Sequence, residues 1–234
     1  MHGGLPIKHA LLLLTALLSA TLVAGAQAHN MADGDAAFVA GNAGAAVFPF
    51  IYLGAKHMVT GYDHLLFLAG VVFFLSRPGQ VIQYVTLFAI GHSITLIAGV
   101  LANIQVNAYL IDAIIALSVV YKALENMGAL QRLGRWHPDT RLAVLVFGLF
   151  HGFGLATSLQ ELELHPDGLV INLISFNVGV EIGQIIALSL IVAAFSVWRR
   201  QPSFENTAFI SNAALMCAGF VLLIYQLTAW QFAS

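Results

Sequence analysis

The sequence predicts an all-α polytopic membrane bundle: about six transmembrane helices after a cleaved signal peptide, with a short interfacial helix before the first span. Three observations predict it. Hydrophobic residues make up 59% of the 234-residue chain and charged residues only 9%, against roughly 25% charged in a soluble domain. Mean hydropathy is +0.87. Apolar runs long enough to cross a bilayer recur along the chain, and the arginines fall in alternate connections between them.

Residues 1–28 read as the signal peptide. Lys8 precedes an apolar stretch from Ala10 to Ala24, and Ala26-Gln27-Ala28 has the small-x-small pattern of a cleavage site. The apolar run is shorter than the ~20 residues of a spanning helix, and an uncleaved first span is the alternative. Cleavage after Ala28 makes His29 the amino terminus, where an α-amine and an imidazole stand together. Residues 29–46 then form a flexible tail, and residues 47–232 form the six-helix domain.

From Val47 to Val59, Phe48, Ile51, Tyr52 and Ala55 recur at helical spacing and Pro49 suits a first turn. This is the expected interfacial helix. Thr60 with Asp63 three residues on resembles a capping box opening the first span, which ends near Ser76. The second span runs from about Val81 to Ala102, the third from Val106 to Leu124 and the fourth from Leu142 to Leu159. The fifth runs from about Leu169 to Trp198, and the sixth from Ala208 to Trp230. Six mature spans and a signal peptide put both termini outside the cytoplasm. All six arginines (Arg77, Arg132, Arg135, Arg141, Arg199 and Arg200) then fall on the cytoplasmic side, as the positive-inside rule requires.

Composition also excludes classes of function. A net charge of −2 without a basic cluster excludes nucleic acid as a partner. No Gly-Lys-Ser/Thr phosphate loop is present, so the chain does not itself hydrolyse nucleotide. The single cysteine, Cys217, permits no internal disulfide and reads as a small apolar residue. The acidic loop Glu161, Glu163, His165 and Asp167 reads as solvated.

What remains is a set of ionisable side chains inside apolar runs. A charged group at a helix centre costs about 2.5–3.5 kcal/mol on insertion scales, and such groups mark pathways or sites. The stretch His57-Met58-Val59-Thr60-Gly61-Tyr62-Asp63-His64 places two imidazoles and a carboxylate together. On one continuous helix His57 and His64 would be about 11 Å apart along the axis, too far to share an ion. A break at Gly61 is needed to bring them together. His92 and His151 lie near the middles of the second and fourth spans, and Glu181 lies in the fifth. Asn177, Glu181 and Gln184 form one stripe at i, i+4 and i+7, expected to face the bundle interior. Gly148-x-x-x-Gly152 surrounds His151 and Gly179-x-x-x-Gly183 surrounds Glu181, so both helices are expected to be tightly packed beside a polar centre. Candidate metal-binding residues are therefore His57, Asp63, His64, His92, His151 and Glu181, with Ser93, Asp112, Asn177 and Gln184 as outer partners. Asp112 reads equally well as a residue of the outer interface. Imidazole with carboxylate suits Ni, Co, Zn or Cu better than Mg or Ca.

Taken in order, His57-x5-Asp63-His64, Gly91-His92-Ser93, Phe150-His151-Gly152 and Phe176-Asn177-x-Gly179-x-Glu181-x-Gly183-Gln184 resemble the HupE/UreJ family of bacterial membrane proteins, and its second branch in particular. That resemblance implies a nickel or cobalt permease of the inner membrane serving hydrogenase or urease maturation, with metalloenzyme maturation proteins as partners. It also implies metal-pathway roles for His57, Asp63, His64 and His151. One departure thins the ligand set. Hydrogenase-linked members tend to continue Phe-His-Gly with a further His and Glu, where this chain has Phe153-Gly154-Leu155-Ala156.

Two other classes fit the same residues. One is an intramembrane zinc hydrolase with His64, His92 and His151 as ligands and Asp63 or Glu181 as base. The other is a non-transporting subunit that delivers metal to an accessory protein.

Overall fold

The structure is a computed structural model that describes residues 33–75, 77–131, 134, 139–161 and 165–233. The signal peptide, His29, Arg132, Arg135, Trp136 and Glu163 lie outside the described residues. Eight α-helices and no strand occur among the described residues: α1 Asp33–Gly41, α2 Val47–Thr60, α3 Tyr62–Val72, α4 Pro78–Leu101, α5 Ala108–Asn126, α6 Thr140–Gln160, α7 Leu169–Trp198 and α8 Phe204–Ala233. Four of them, α4, α6, α7 and α8, are long and apolar enough to cross a membrane. The 19-residue α5 carries Asp112, Lys122 and Glu125, and α2 and α3, with 14 and 11 residues, are each short of a span.

Small residues decide which helices pair. A Cβ on Gly54 would stand 2.0 Å from the Phe176 carbonyl oxygen, and one on Gly179 equally close to that of Ile51. Helices α2 and α7 therefore touch backbone to backbone and run parallel. Their starts are tied by side chain to main chain: the Ala46 amide donates to Asn172 Oδ1 at 2.8 Å, and Asn172 Nδ2 donates to the Gly44 carbonyl at 2.9 Å. Asn172 thus supplies from α7 an acceptor for the amide at the start of α2, where Ala46 has no capping side chain. Gly168 makes the approach possible, with φ +78 and room for no side chain against Gly44.

The same device joins α4 to α6. Cβ atoms on Gly91, Gly148 and Gly152 would lie 2.5 Å or less from carbonyl oxygens of the opposite helix, and Thr95 Oγ1 donates to the Leu149 carbonyl at 2.7 Å. This pair is also parallel. A third pair, α5 with α8, is antiparallel: Gln226 Nε2 donates to Asp112 Oδ2 at 3.2 Å, Gly219 meets Val120, and Asn126 Nδ2 donates to Asn212 Oδ1 at 2.9 Å.

Three sequence expectations change here. Residues 33–41, expected within a flexible tail, form α1; Val39 is buried, and Asp35 takes an ion pair from Lys56 at 2.6 Å. The helix expected to be interfacial, α2, packs along α7 because Gly54 faces Phe176 and Gly183 faces Ala55. The cap of α3 is Gly61, not Thr60: Thr60 ends α2, and its hydroxyl donates to its own helix at the Lys56 carbonyl. Helices α2 and α3 therefore form one path interrupted at a single extended residue. At the far end, Arg199 donates to the carbonyls of Val72, Phe73 and Leu75, satisfying the groups that α3 leaves open.

Candidate metal centre

Gly61 has φ −73 and ψ 101, and its amide donates to the His57 carbonyl at 2.9 Å. The chain turns there, so His57 in the last turn of α2 and His64 in the first turn of α3 face each other, their ring centroids 5.2 Å apart. Gly61 is needed for space and not for its φ. A Cβ would stand 2.7 Å from His64 Nδ1 and 3.3 Å from Asp63 Oδ1.

The glycine-packed pair α4 and α6 brings the other two imidazoles. His64 lies 4.6 Å from His151 and 6.1 Å from His92 between ring centroids. His64, His92 and His151 are fully buried, Asp63 is 4% exposed and His57 is half-buried. Two overlapping triads result, His57–His64–His92 and Asp63–His64–His151, each with ligand atoms within 4.8 Å of one another. Ligand atoms about 2 Å from one ion are at most about 4 Å apart, so a small contraction completes either set. Phe67, Phe88 and Phe176 wall the cluster: Phe88 lies 4.9 Å and Phe67 5.8 Å from the His151 ring, and Phe176 lies 5.9 Å from the His57 ring.

Chemically the cluster offers four imidazoles, one carboxylate and no thiolate. His64 Nδ1 stands 3.0 Å from Asp63 Oδ1. With the proton on Nδ1 donated to that carboxylate, Nε2 is left as the ligand atom and the ring is held in place, the usual outer partnership of a metal-binding histidine.

The remaining candidates lie elsewhere. Glu181 is exposed, in a groove between α4 and α7, and not at the centre. The stripe with Asn177 and Gln184 is real, but it spans about 60° of helix. Asn177 and Gln184 are buried, while Glu181 at the edge of the stripe is left outside. Asn177 Nδ2 donates to the Leu173 carbonyl of its own helix, and Asp112 is held by Gln226 in the α5–α8 seam. Ser93 is half-buried, one position around α4 from His92. The two GxxxG stretches do pack tightly, each against a different helix: that of α6 meets α4, and that of α7 meets α2. Sequence reasoning missed the three phenylalanines of the wall. Phe150-His151 drew attention to the histidine, but nothing in the spacing of Phe67, Phe88 and Phe176 pointed to a common site.

The fold and the cluster define an α-helical membrane protein with a buried constellation of histidines and aspartate at a helix break. The sequence model of the HupE / UreJ protein family matches residues 33–234, and the chain belongs to that family. No curated protein and no solved structure matches the chain.

Proposed function

We propose that this chain is a permease that carries a divalent transition-metal cation, nickel or cobalt, across the bacterial inner membrane. The observation that carries the reading is the meeting of His57, Asp63, His64, His92 and His151 around the break at Gly61. The HupE/UreJ family is associated with nickel/cobalt transport or metal delivery. Transporters commonly place their sites near the bilayer midplane, at helices interrupted where they meet the substrate. Here His92 and His151 are close to the middles of α4 and α6. Helices α2 and α3, end to end, act as one discontinuous span and α5 as another, giving six spans with both mature termini outside the cytoplasm. Nitrogen and carboxylate donors without thiolate favour Ni or Co over softer ions such as Cu(I).

The test is paired. Purified protein is exposed to Ni, Co or Zn and dialysed, and uptake of the same ions is measured in cells, for wild type and His64→Ala. Reversible Ni or Co binding together with uptake, both lost in His64→Ala, is the expected result. One Zn retained per chain through dialysis would favour a hydrolase, and reversible binding without uptake would favour a delivery subunit to maturation proteins. Equal binding by both proteins would remove His64 from the site.

A further inference from the structure

Between α4 and α7 lies an open groove of about 660 Å³, running from Ile90 and Glu181 at one end to Pro78 and Arg199 at the other. Leu75, Val81, Val85, Ile185, Leu188 and Val192 supply much of its wall. The polar side chains between the two ends change its character little. Gln184 is fully buried, and Ser189 and Ser196 turn their hydroxyls to the Ile185 and Val192 carbonyls of their own helix. Glu181, the one acidic residue of the lining, stands at the inner end.

Length and charge say what fits this groove. Pro78 and Ile90 are about 18 Å apart along α4 by helical rise, and the hydrocarbon core of a bilayer is about 30 Å thick. The groove is therefore about one leaflet deep. An acyl chain ends at that depth, whereas a spanning helix from another chain would need the groove to continue to the opposite surface. The two connections at the Pro78 end, residues 73–77 and 199–203, carry Arg77, Arg199 and Arg200 and no acidic residue. The nearest acid in sequence is Glu205, in the first turn of α8. Arg77 and Arg200 are exposed. Arg199 donates one N–H from each of its nitrogens to the carbonyls of Val72, Phe73 and Leu75. Those bonds hold the guanidinium at the mouth of the groove and leave two of its five N–H groups, one on each Nη, for another acceptor. Trp198 beside it is of the type enriched at membrane–water interfaces, and by the arginine distribution this end is cytoplasmic.

We propose that the α4–α7 groove binds one anionic phospholipid of the cytoplasmic leaflet, a tail lying along the apolar strip from Pro78 to Ile90 and the phosphate held at Arg199. Arginine presents a planar fork that matches phosphate, and basic pockets between spanning helices on the cytoplasmic side recognise anionic head groups. Arg77 and Arg200 add the charge that selects such a lipid over a zwitterionic one. The bound tail fills the space between the α2–α7 and α4–α6 pairs. This site belongs to the surface of the bundle and stands whether or not the histidine cluster carries an ion.

The test counts lipids. Full-length protein in neutral detergent is mixed with equal amounts of phosphatidylglycerol and phosphatidylcholine, and the lipid retained per chain is read by native mass spectrometry. Wild type is expected to keep one phosphatidylglycerol, with a preference on the order of tenfold over phosphatidylcholine. Arg77→Gln/Arg200→Gln keeps one lipid and loses most of that preference. Ser189→Trp and, from the opposite wall, Ile82→Trp fill the groove and retain no lipid; circular dichroism like that of wild type identifies the variant that is folded, and one is enough. Equal retention of the two lipids by wild type overturns the head-group site, a comparison that needs no variant. Retention of phosphatidylglycerol by a folded tryptophan variant overturns the groove. A wild-type dimer that the tryptophan variants split would assign the groove to a second copy of the chain and overturn the lipid.

Discussion

His64 and His151 come from helices that are not adjacent in sequence, yet their rings lie 4.6 Å apart in a T-shaped arrangement. His64 belongs to both potential metal triads, the only residue common to the two. The consequences of altering its surroundings are therefore graded and measurable.

Asp63→Asn removes the carboxylate that orients His64 and can itself contribute an oxygen ligand. Loss of such an outer partner typically costs 10–100-fold in metal affinity. Co²⁺ titration of the purified variant should show a weakening of at least that order with helical content unchanged. Wild-type affinity would mean that Asp63 neither ligates nor orients.

Gly61→Ala tests whether the break is shaped by space. The added methyl meets His64 Nδ1 at 2.7 Å, and the φ of −73 itself suits alanine. The variant should fold, with circular dichroism like that of wild type, and bind Co²⁺ at least tenfold more weakly. Normal binding would show that the imidazole can move aside without loss.

Gly152→Ala acts on the α4–α6 contact. Its Cβ would fall 2.2 Å from the His92 carbonyl oxygen and from Thr95 Oγ1, so the helices must part. Overpacking of this kind costs about 1–3 kcal/mol, and thermal unfolding in detergent should show a lower midpoint. Because His92 and His151 ride on these two helices, Co²⁺ binding should weaken in the same variant.

Lys122 and Glu125 form a buried ion pair at 2.5 Å near the end of α5, and Thr140 of α6 also bonds to Glu125. Lys122→Met removes a cation from beside a largely buried carboxylate and should destabilise by up to about 3 kcal/mol. The double variant with Glu125→Gln should recover much of that loss. A single variant as stable as wild type would show that the pair is hydrated.

The break at Gly61 and the central positions of His92 and His151 were legible in the sequence. Imidazoles seven residues apart cannot meet on a straight helix, and ionisable groups stand out against an apolar run. The pairing of helices was not legible. Helix α7 is apolar nearly all round, so its periodicity says little about facing. The edge of its polar stripe, Glu181, was therefore assigned to the interior. Likewise α2 reads as a short interfacial helix from the helical spacing of Phe48, Ile51, Tyr52 and Ala55, whereas Gly54 seats it against Phe176. Small residues announce close contact and do not name the partner.

The backbone-to-backbone seams within α2–α7 and α4–α6 leave no slack for sliding, whereas α4 meets α7 much more sparingly. His57 belongs to the first pair, and His92 and His151 to the second. The line of least cohesion thus passes through the ligand set itself. Any rocking of one pair against the other would draw His57 away from His92 and so part the candidate ligand set.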